Sequence, residues 1–518
     1  MQLRPVAASV GLLAGTLVAL GGTTAHAASS RYEAEVSPTV CTGTIDSDWS
    51  GYSGSGFCNG TNAAGAYAQF TVNASAAGTA TLKVRFANGG TAARPADVVV
   101  NGSVAASASF EGTSTWGTWV TKTVTVPLKA GGNTVRLSPT GAGGLPNLDY
   151  VDVETGDTPP PSGTALYVAP NGKDGAAGTQ ADPTTLTSAI ARVPADGTIY
   201  LRGGTYGFSK TVTIPPGNDG TAGARKKLLA YPGESPVLDF SAMSEDPANR
   251  GLAVNASYWH IKGIVVERAG DNGIFVGGSN NVIERTVTRF NRDTGLQLSR
   301  MASTTPKDQW PSNNLVLSAE SHDNADSDGE DADGFAAKLT VGSGNVFRYA
   351  VAHNNIDDGW DLYTKTDTGP IGPVTVEDSL AHHNGTLSDG SQAGNGDRNG
   401  YKLGGEDIKV NHVIRRSIAY DNGKHGFTFN RNPGTMTVSD NVSIDNAERN
   451  FSWDAGTSVF RGNTSCRSGS GSNDKTVGDA DGSNQFWSGT NGSRCSAYAG
   501  ALRWSYAADG RLVVTFGG

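Results

Sequence analysis

Long apolar runs, an excess of positive charge and helical periodicity are all missing from this sequence. After the apolar residues 6–20, no segment approaches the roughly 18 to 20 continuous apolar residues of a membrane-spanning helix. Lysine and arginine total 40 against 49 aspartates and glutamates, and the formal charge of -9 argues against a nucleic-acid-binding protein. No amphipathic helix of about ten or more residues separates the apolar runs, which disfavours a doubly wound α/β fold.

The first residues carry the pattern of a secretory signal peptide. Arg4 provides a charged flank, residues 6–20 the apolar segment, and Ala25-His-Ala27 the small-x-small cleavage motif. We therefore expect a signal peptide at residues 1–27 and a secreted, extracellular product with no membrane partner.

Cysteine is scarce, with four residues arranged as one pair near each end of the chain. Export to an oxidising compartment allows such pairs to form disulfides. The pairs Cys41–Cys58 and Cys466–Cys495 are predicted, because any other connectivity would have to link distant domains.

Glycine is abundant, with 70 residues, nearly twice its usual share. Many of these glycines follow Asn or Asp, which favours a turn-rich all-β chain over a helical one. The Pro-rich residues 156–163 separate two segments of different character and predict a linker, because such runs act as extended spacers. We expect one domain at residues 30–155 and a second at residues 164–518.

The first segment alternates short β-type runs with Gly, Asn and Ser turns, which is typical of a β-sandwich. Its motifs Tyr32-Glu-Ala-Glu35, Thr115-Trp-Gly-Thr-Trp119 and Asn147-Leu-Asp-Tyr150 resemble those of carbohydrate-binding modules of families 6 and 35. The resemblance implies a structural calcium ion near Glu33, Glu35 and Asp149, and a sugar site that uses Tyr52, Trp116 and Asn147. For Tyr52 and Trp116, ordinary packing is an equal alternative, and Trp119 is expected in the core.

The second segment contains an internal repeat, in which a glycine precedes alternating apolar residues. The glycines lie at 273, 295, 334, 359, 400 and 426, so the intervals are 22, 39, 25, 41 and 26 residues. Three intervals equal one coil of a parallel β-helix, and the two long ones fit a coil with an inserted loop. Asparagines recur before the glycine runs and predict a side-chain ladder, with members Asn291, Asn324, Asn354, Asn384, Asn422 and Asn446. One short helix is expected around residues 185–193.

Aligning the coils on their glycines predicts a chemical site. Because side chains alternate along a strand, Asp361 and Lys402 should share one face on adjacent layers, about 5 Å apart. Asp333 and Asp358 should align one layer apart, with Asp357 beside them. Carboxylates so close repel one another unless a cation neutralises them. Calcium is the expected cation, because the candidate ligands are all oxygen donors without a His or Cys cluster.

The same segment is similar to polysaccharide lyase family nine, the right-handed parallel β-helix pectate lyases. The matching motifs are Ala332-Asp-Gly-Phe-Ala-Ala-Lys338, Asn355-Ile-Asp-Asp-Gly-Trp-Asp361 and Asn399-Gly-Tyr-Lys402. The resemblance implies β-elimination on a 1,4-linked galacturonan, an acidic plant cell-wall polysaccharide (polygalacturonate or pectin), by a monomeric enzyme. It also implies Lys402 as catalytic base and a Ca²⁺ site with the ligands Asp333, Asp357, Asp358 and Asp361.

Several alternatives to these roles remain open. Lys338 and Lys365 are rival bases, and Lys338 is otherwise either a contact for a substrate carboxylate or a solvated lysine. Arg398 and Lys424 are either uronate contacts or surface charges. A polygalacturonase-type hydrolase would use carboxylates without a metal, and a non-catalytic glycan-binding solenoid would hold only structural calcium. A lysine base predicts an alkaline pH optimum, because an ordinary lysine is mostly protonated at neutral pH.

Overall fold

The computed structural model describes residues 29–63, 65–74, 78–129, 131–155, 165–507 and 509–517. The expected leader at residues 1–27 and the expected linker at residues 156–163 lie outside the described residues. No helix in the part of the chain that the structure describes is both long and apolar enough to cross a membrane.

The amino-terminal segment forms a β-sandwich of two antiparallel sheets, as its short alternating runs predict. The inward positions of both sheets, such as Phe70, Val84 and Leu137, form one buried core. One sheet contains the strands Ser29–Glu33, Gly43–Asp46, Phe57–Gly60, Gly78–Ala87, Val120–Leu128 and Asn147–Thr155. The other contains Val40–Cys41, Ala68–Ala74, Arg94–Val100, Ser103–Phe110 and Gly131–Pro139.

The rest of the chain winds into a parallel β-helix with three sheets. The first sheet contains Ala165–Val168, Thr198–Leu201, Lys226–Ala230, Trp259–Lys262, Val282–Glu284, Leu315–Leu317, Asn345–Arg348, Val374–Glu377, Val413–Arg415, Thr437–Ser439, Val459–Arg461 and Asp479–Ala480. The second contains Gly204–Gly207, Pro236–Asp239, Val265–Glu267, Val287–Arg289, Glu320–His322, Val351–His353, Leu380–His382, Ile418–Tyr420, Val442–Ile444 and Thr464–Cys466. The third contains Val212–Ile214, Leu252–Val254, Ile274–Val276, Leu296–Leu298, Phe335–Ala337, Trp360–Asp361, Tyr401–Lys402, Phe427–Thr428, Phe451–Trp453 and Lys475–Thr476.

Both ends of the β-helix carry additional elements. The short helix Leu186–Arg192 lies at the first coil, where the side chain of Thr185 caps it by accepting a hydrogen bond from Ser188 N. At the other end, the 3₁₀ segment Ser493–Tyr498 is followed by an antiparallel hairpin. Its two strands are Leu502–Tyr506 and Leu512–Phe516. A second 3₁₀ turn, Lys307–Gln309, lies in an inserted loop.

The four cysteines pair as expected. Cys41 bonds to Cys58 in the sandwich, with Cα atoms 5.8 Å apart. Cys466 bonds to Cys495 and so ties the 3₁₀ segment to the last strand of the second sheet, with Cα atoms 5.6 Å apart. Both separations lie in the ordinary range for disulfides.

Buried asparagines occupy the same turn position in successive coils and form a ladder along the axis of the β-helix. Asn324 Nδ2 donates to Asn355 Oδ1 (2.8 Å), and Asn355 Nδ2 donates to Asn384 Oδ1 (2.9 Å). The prediction of Asn354 as a member was therefore wrong by one residue. Asn354 takes a positive φ of 53° and turns its amide towards Thr386 O instead. The other predicted members occupy the ladder, which reads Asn291, Asn324, Asn355, Asn384, Asn422 and Asn446.

The interior of the third sheet is an aromatic stack. The rings of Trp360 and Tyr401 lie 4.7 Å apart, and those of Tyr401 and Phe427 lie 4.6 Å apart and nearly parallel. Phe335 packs at 5.0 Å from Trp360 on the preceding layer. All four side chains are buried, which confirms that these positions point inward, as predicted. Because side chains alternate along a strand, the next residue in each strand lies on the outer face of the sheet.

Candidate active site

The outer face of the third sheet brings the predicted site residues together through strand register. Ala336 pairs with Asp361, Asp361 with Lys402, and Lys402 with Thr428 on successive layers. The turns before these strands are also in register, since Gly334 N donates to Asp358 O at 2.9 Å. Asp333 therefore lies one layer from Asp358, as the glycine alignment predicts.

Three of the four predicted metal ligands converge at this turn. Each of Asp333, Asp357 and Asp358 offers a carboxylate oxygen, and these oxygens lie within 4.8 Å of one another. All three residues are buried. Burial raises the pKa of each carboxyl, and repulsion from neighbouring carboxylates adds to the effect, so that the pKa of Asp358 rises to about 6.

Asp361, the fourth predicted ligand, lies outside that group of three. It is 4% exposed, and its carboxylate approaches two lysines, with Oδ2 at 3.6 Å from Lys338 Nζ and 3.7 Å from Lys402 Nζ. Its position in the strand, rather than in the turn, accounts for the separation.

Lys402 lies beside the cluster and is 9% exposed. Its ammonium group is 3.3 Å from Asp358 Oδ2 and 3.1 Å from Asp397 Oδ2. Burial opposes the charged form, but the carboxylates of Asp361 and Asp358 outweigh it and raise the pKa of Lys402. The ring of Tyr363 lies 5.4 Å from the same nitrogen and forms one wall of the site.

Lys338 proves to be part of the cluster, and the interpretation of this residue as a solvated lysine was wrong. Its side chain is buried, and Nζ lies 2.8 Å from Asp333 Oδ2. Lys338 directly follows the strand Phe335–Ala337 and lies two residues beyond Ala336, which pairs with Asp361. Its long side chain nevertheless reaches back to the turn. Strand register predicts which face a lysine uses but not where its ammonium group ends.

The oxygens of the cluster divide into satisfied and unsatisfied atoms. Asp358 Oδ1 accepts hydrogen bonds from the backbone N (2.6 Å) and Nδ2 (2.9 Å) of Asn399. Asp357 Oδ1 accepts from the backbone N–H groups of Asp397 and Arg398. Among the described residues, no donor forms a hydrogen bond to the buried Asp361 Oδ1 or Asp358 Oδ2, although the latter faces the Lys402 ammonium group at 3.3 Å. Buried oxygens of this kind need a partner, and an all-oxygen donor set suits a calcium ion.

The loop before the Lys402 strand supplies residues that sequence reasoning missed or left open. Asp397 was missed, although it bridges Lys402 and Lys424, whose Nζ lies 2.8 Å from Asp397 Oδ1. The only signal in the sequence for a role of Asp397 is its closeness to Lys402, because the inserted loop does not follow the glycine repeat of the coils. Arg398 packs its side chain against Gly385 and Gly423, and its buried Nε forms no hydrogen bond with any residue that the structure describes.

In the sandwich, the three predicted acidic residues meet around the turn Ser53–Gly54–Ser55. Ser53 donates to Glu33 Oε2 (2.7 Å) and Asp149 Oδ1 (3.2 Å), and Ser55 N donates to Glu35 Oε1 (2.8 Å). Glu35 Oε2 is buried and accepts no hydrogen bond within the described part of the chain. Burial raises the pKa of Asp149.

The predicted sugar contacts of the sandwich occupy different environments. Tyr52 is half-buried against Phe57, and Trp116 is half-buried with the guanidinium group of Arg94 at 5.1 Å from its ring. Asn147 is buried at the start of its strand. The prediction that Trp119 lies in the core was wrong. Trp119 precedes its strand and is half-buried at the surface, where its Nε1 donates to Ser50 O (3.0 Å).

Comparison with known proteins agrees with this architecture. Residues 39–155 match the carbohydrate binding module (family 6). Pectate lyase L of Paenibacillus polymyxa (strain SC2) is 56% identical over 324 residues, which cover 62% of this chain and 72% of that protein. Pectate lyase L of Thermoclostridium stercorarium is 46% identical over 291 residues, or 56% of this chain and 23% of that protein.

A solved structure and a family match cover the β-helix. The crystal structure of pectate lyase Pel9A aligns with a TM-score of 0.56 and 32% identity, covering 67% of this chain and 87% of that one. Residues 166–467 match the family described as Pel9A-like, right handed beta helix region. The chain therefore belongs to the Pel9A-like right-handed β-helix family.

Proposed function

We propose that this protein is a secreted, calcium-dependent pectate lyase that cleaves 1,4-linked galacturonan by β-elimination. The observation that carries the proposal is the buried lysine beside a buried acidic cluster, with Lys402 Nζ 3.3 Å from Asp358 Oδ2. A base next to a cation site is the arrangement needed to remove a proton from the carbon beside a carboxylate. The relatives named pectate lyase support the same activity.

The proposed calcium ligands are Asp333, Asp357, Asp358 and Asp361. Asp361 Oδ1 is buried and accepts no hydrogen bond from a described residue, which supports including Asp361, since a bound ion would supply a partner. When bound, calcium would neutralise the substrate carboxylate and make the proton on C5 of the uronate more acidic. Asn399 holds Asp358 in place through two hydrogen bonds, so the cradle is organised by the protein itself.

Lys402 is the proposed base. In its neutral form, Nζ accepts the C5 proton, and the electron pair of the C5–H bond forms the C4–C5 double bond. The bond from C4 to the glycosidic oxygen breaks, and that oxygen leaves with the bonding electron pair and takes a proton from water. Asp361 and Asp397 hold the amine in position from two sides. Lys338 is a poor alternative base because its ammonium group is fixed against Asp333 at 2.8 Å, where it offsets part of the cluster's negative charge.

We also propose a separate role for each segment of the chain. Residues 1–27 would direct secretion, residues 30–155 would bind polysaccharide, and residues 164–518 would cleave it after the linker at residues 156–163. In the module, Tyr52, Trp116 and Asn147 would contact sugar, and Glu33, Glu35 and Asp149 would hold a structural calcium ion. The gathering of these three acids at one turn supports the second assignment.

Replacement of the base tests the proposed function. Lys402→Ala should lower kcat on polygalacturonate by about 10²-fold to 10⁴-fold, because the proton-accepting group is removed. The measurement is ultraviolet absorbance of the unsaturated product, with calcium binding followed separately by calorimetry and expected to persist. Lys365→Ala is the control, since Lys365 is exposed after the Asp361 strand.

Two results would contradict the proposal. Wild-type cleavage that persists in a chelator and yields no unsaturated product would identify a polygalacturonase-type hydrolase. Polygalacturonate binding without turnover, unaffected by Lys402→Ala, would identify a glycan-binding solenoid.

A further inference from the structure

A cavity adjoins the candidate active site and extends along the axis of the β-helix. Its volume is ≈310 Å³, and its lining includes Lys424, His425, Thr428, Arg431, Arg449 and Ser452. The floor follows strand register, since Lys402 pairs with Thr428 and the latter pairs with Ser452. Adjacent layers are about 4.8 Å apart, so a chain of pyranose rings along the axis can place successive rings on successive layers.

The lining of the cavity is rich in cations, but most of their charge is already engaged. Lys424 Nζ lies 2.8 Å from Asp397 Oδ1, and Arg431 is paired with Asp407. Burial lowers the pKa of His425, which favours a neutral ring at neutral pH.

Arg449 differs from these neighbours. Its Nε donates to Asn473 O at 3.2 Å, and within the described part of the chain its guanidinium group forms no ion pair with a carboxylate. Asp454, a carboxylate that lines the same cavity, is held by Lys475 at 2.6 Å. Arg449 is half-buried, so the remaining N–H groups of its fork are partly shielded from water while still reaching the cavity.

The position of Arg449 relates it to the acidic cluster. Gly359 N donates to Asn399 O, Gly400 N to His425 O and Gly426 N to Arg449 O, at 2.8–3.0 Å. The residues before the third-sheet strands therefore form one column that runs from Asp358 through Asn399 and His425 to Arg449. The column thus has acidic residues at the candidate metal site. Three layers further on it has Arg449, a cation with no carboxylate partner among the described residues.

We propose that Arg449 is a specificity-determining residue that binds the carboxylate of a second uronate lying over the Thr428 and Ser452 layers. The inference rests on the proposed lyase function and deepens it. A guanidinium fork binds a carboxylate with two parallel hydrogen bonds, and a methyl ester or a neutral sugar at that place would forfeit the ion pair. The preferred substrate is then a run of consecutive free uronates rather than esterified pectin or a polymer in which uronates alternate with neutral sugars.

The variant Arg449→Gln tests this role. Its KM for polygalacturonate should rise about tenfold while kcat stays within about twofold, because a charge-assisted contact remote from the reacting atoms is lost. Its preference for polygalacturonate over highly methyl-esterified pectin, taken as a ratio of kcat/KM values, should fall by about the same factor. Arg461→Gln is the matched control, since Arg461 is a half-buried arginine of the first sheet that is paired with Asp479.

A binding measurement separates this inference from the lyase proposal. Calorimetry of trigalacturonate binding to Lys402→Ala, with and without Arg449→Gln, should show about tenfold weaker binding in the double variant. Weaker binding with no lyase activity in the wild type would support the subsite while overturning the proposed reaction. Unchanged binding, or an unchanged substrate preference in an active enzyme, would overturn the subsite alone.

Discussion

At the scale of single residues, the two buried lysines of the third sheet have different surroundings. Lys338 is fixed by one short contact to Asp333, whereas Lys402 is shared among Asp358, Asp361 and Asp397 at 3.1–3.7 Å. These carboxylates raise the pKa of Lys402. A lysine base works only in its neutral form, so activity should increase as the pH rises.

Removal of one carboxylate should move this pH dependence. Asp397 touches Lys402 but is not among the proposed calcium ligands. Asp397→Asn removes a negative charge that favours the ammonium form, so the rising limb of kcat/KM against pH should shift to lower pH by about one unit. Asp509→Asn is the control, because Asp509 pairs with Arg511 at the exposed turn of the carboxyl-terminal hairpin. A limb that stays in place or moves to higher pH would contradict the role of Lys402 as base.

At the scale of elements, the short strands of the β-helix depend on the turns between them. Both polar atoms of the Asn355 side chain, Oδ1 and Nδ2, form hydrogen bonds in the ladder, and its neighbours Asn324 and Asn384 are also buried. Each coil is therefore hydrogen-bonded to the next through these side chains. The bonds fix the spacing between layers, on which the register of Asp361 and Lys402 depends.

Breaking the ladder should weaken the β-helix. Asn355→Ala leaves Asn324 Nδ2 and Asn384 Oδ1 without one partner each, so the free energy of unfolding should fall by about 1–3 kcal/mol. Urea denaturation followed by tryptophan fluorescence measures the change. Asn395→Ala, at an exposed loop position, should change stability by less than about 0.5 kcal/mol. Equal effects of the two substitutions would mean that the ladder adds nothing beyond an ordinary surface contact.

At the scale of the whole molecule, the carboxyl-terminal hairpin returns to cover the second sheet. Trp504 lies over the stacked rings of His353 and His382, at 5.9 and 6.4 Å between ring centroids. Tyr506 Oη donates to Ala319 O (2.9 Å) and anchors the same strand. The hairpin thus protects a histidine stack that lies on a different sheet from the candidate active site.

Loss of this cover should affect stability but not chemistry. Trp504→Ala removes a half-buried indole, so the free energy of unfolding should fall by about 1–2 kcal/mol, with faster proteolysis of the tail. Arg503→Ala, at the exposed neighbouring position, is the control. Turnover of polygalacturonate should stay unchanged in both variants, and a loss of turnover in Trp504→Ala would mean that the hairpin supports the catalytic face.

Much of the β-helix and of its candidate site followed from local patterns. The glycine spacing predicted the coils, and the alternation of side chains placed Lys402 beside Asp361 and Asp333 one layer from Asp358. The cysteine pairs and the short helix near residues 185–193 were also predicted. These features depend on short-range periodicity, because the face that a residue uses is set by its own strand.

Other features became visible only in three dimensions. The sequence could not distinguish Asn354 from Asn355, because that choice depends on a positive φ in the turn. Nor could it show that Lys338 reaches Asp333, since the end point of a long side chain depends on packing. Asp397 and Arg449 lie outside the strands and were missed. The sequence by itself thus determined the repeat and the face that each strand residue uses. Only the tertiary structure decided which charges meet, because loop paths and side-chain reach depend on contacts between coils.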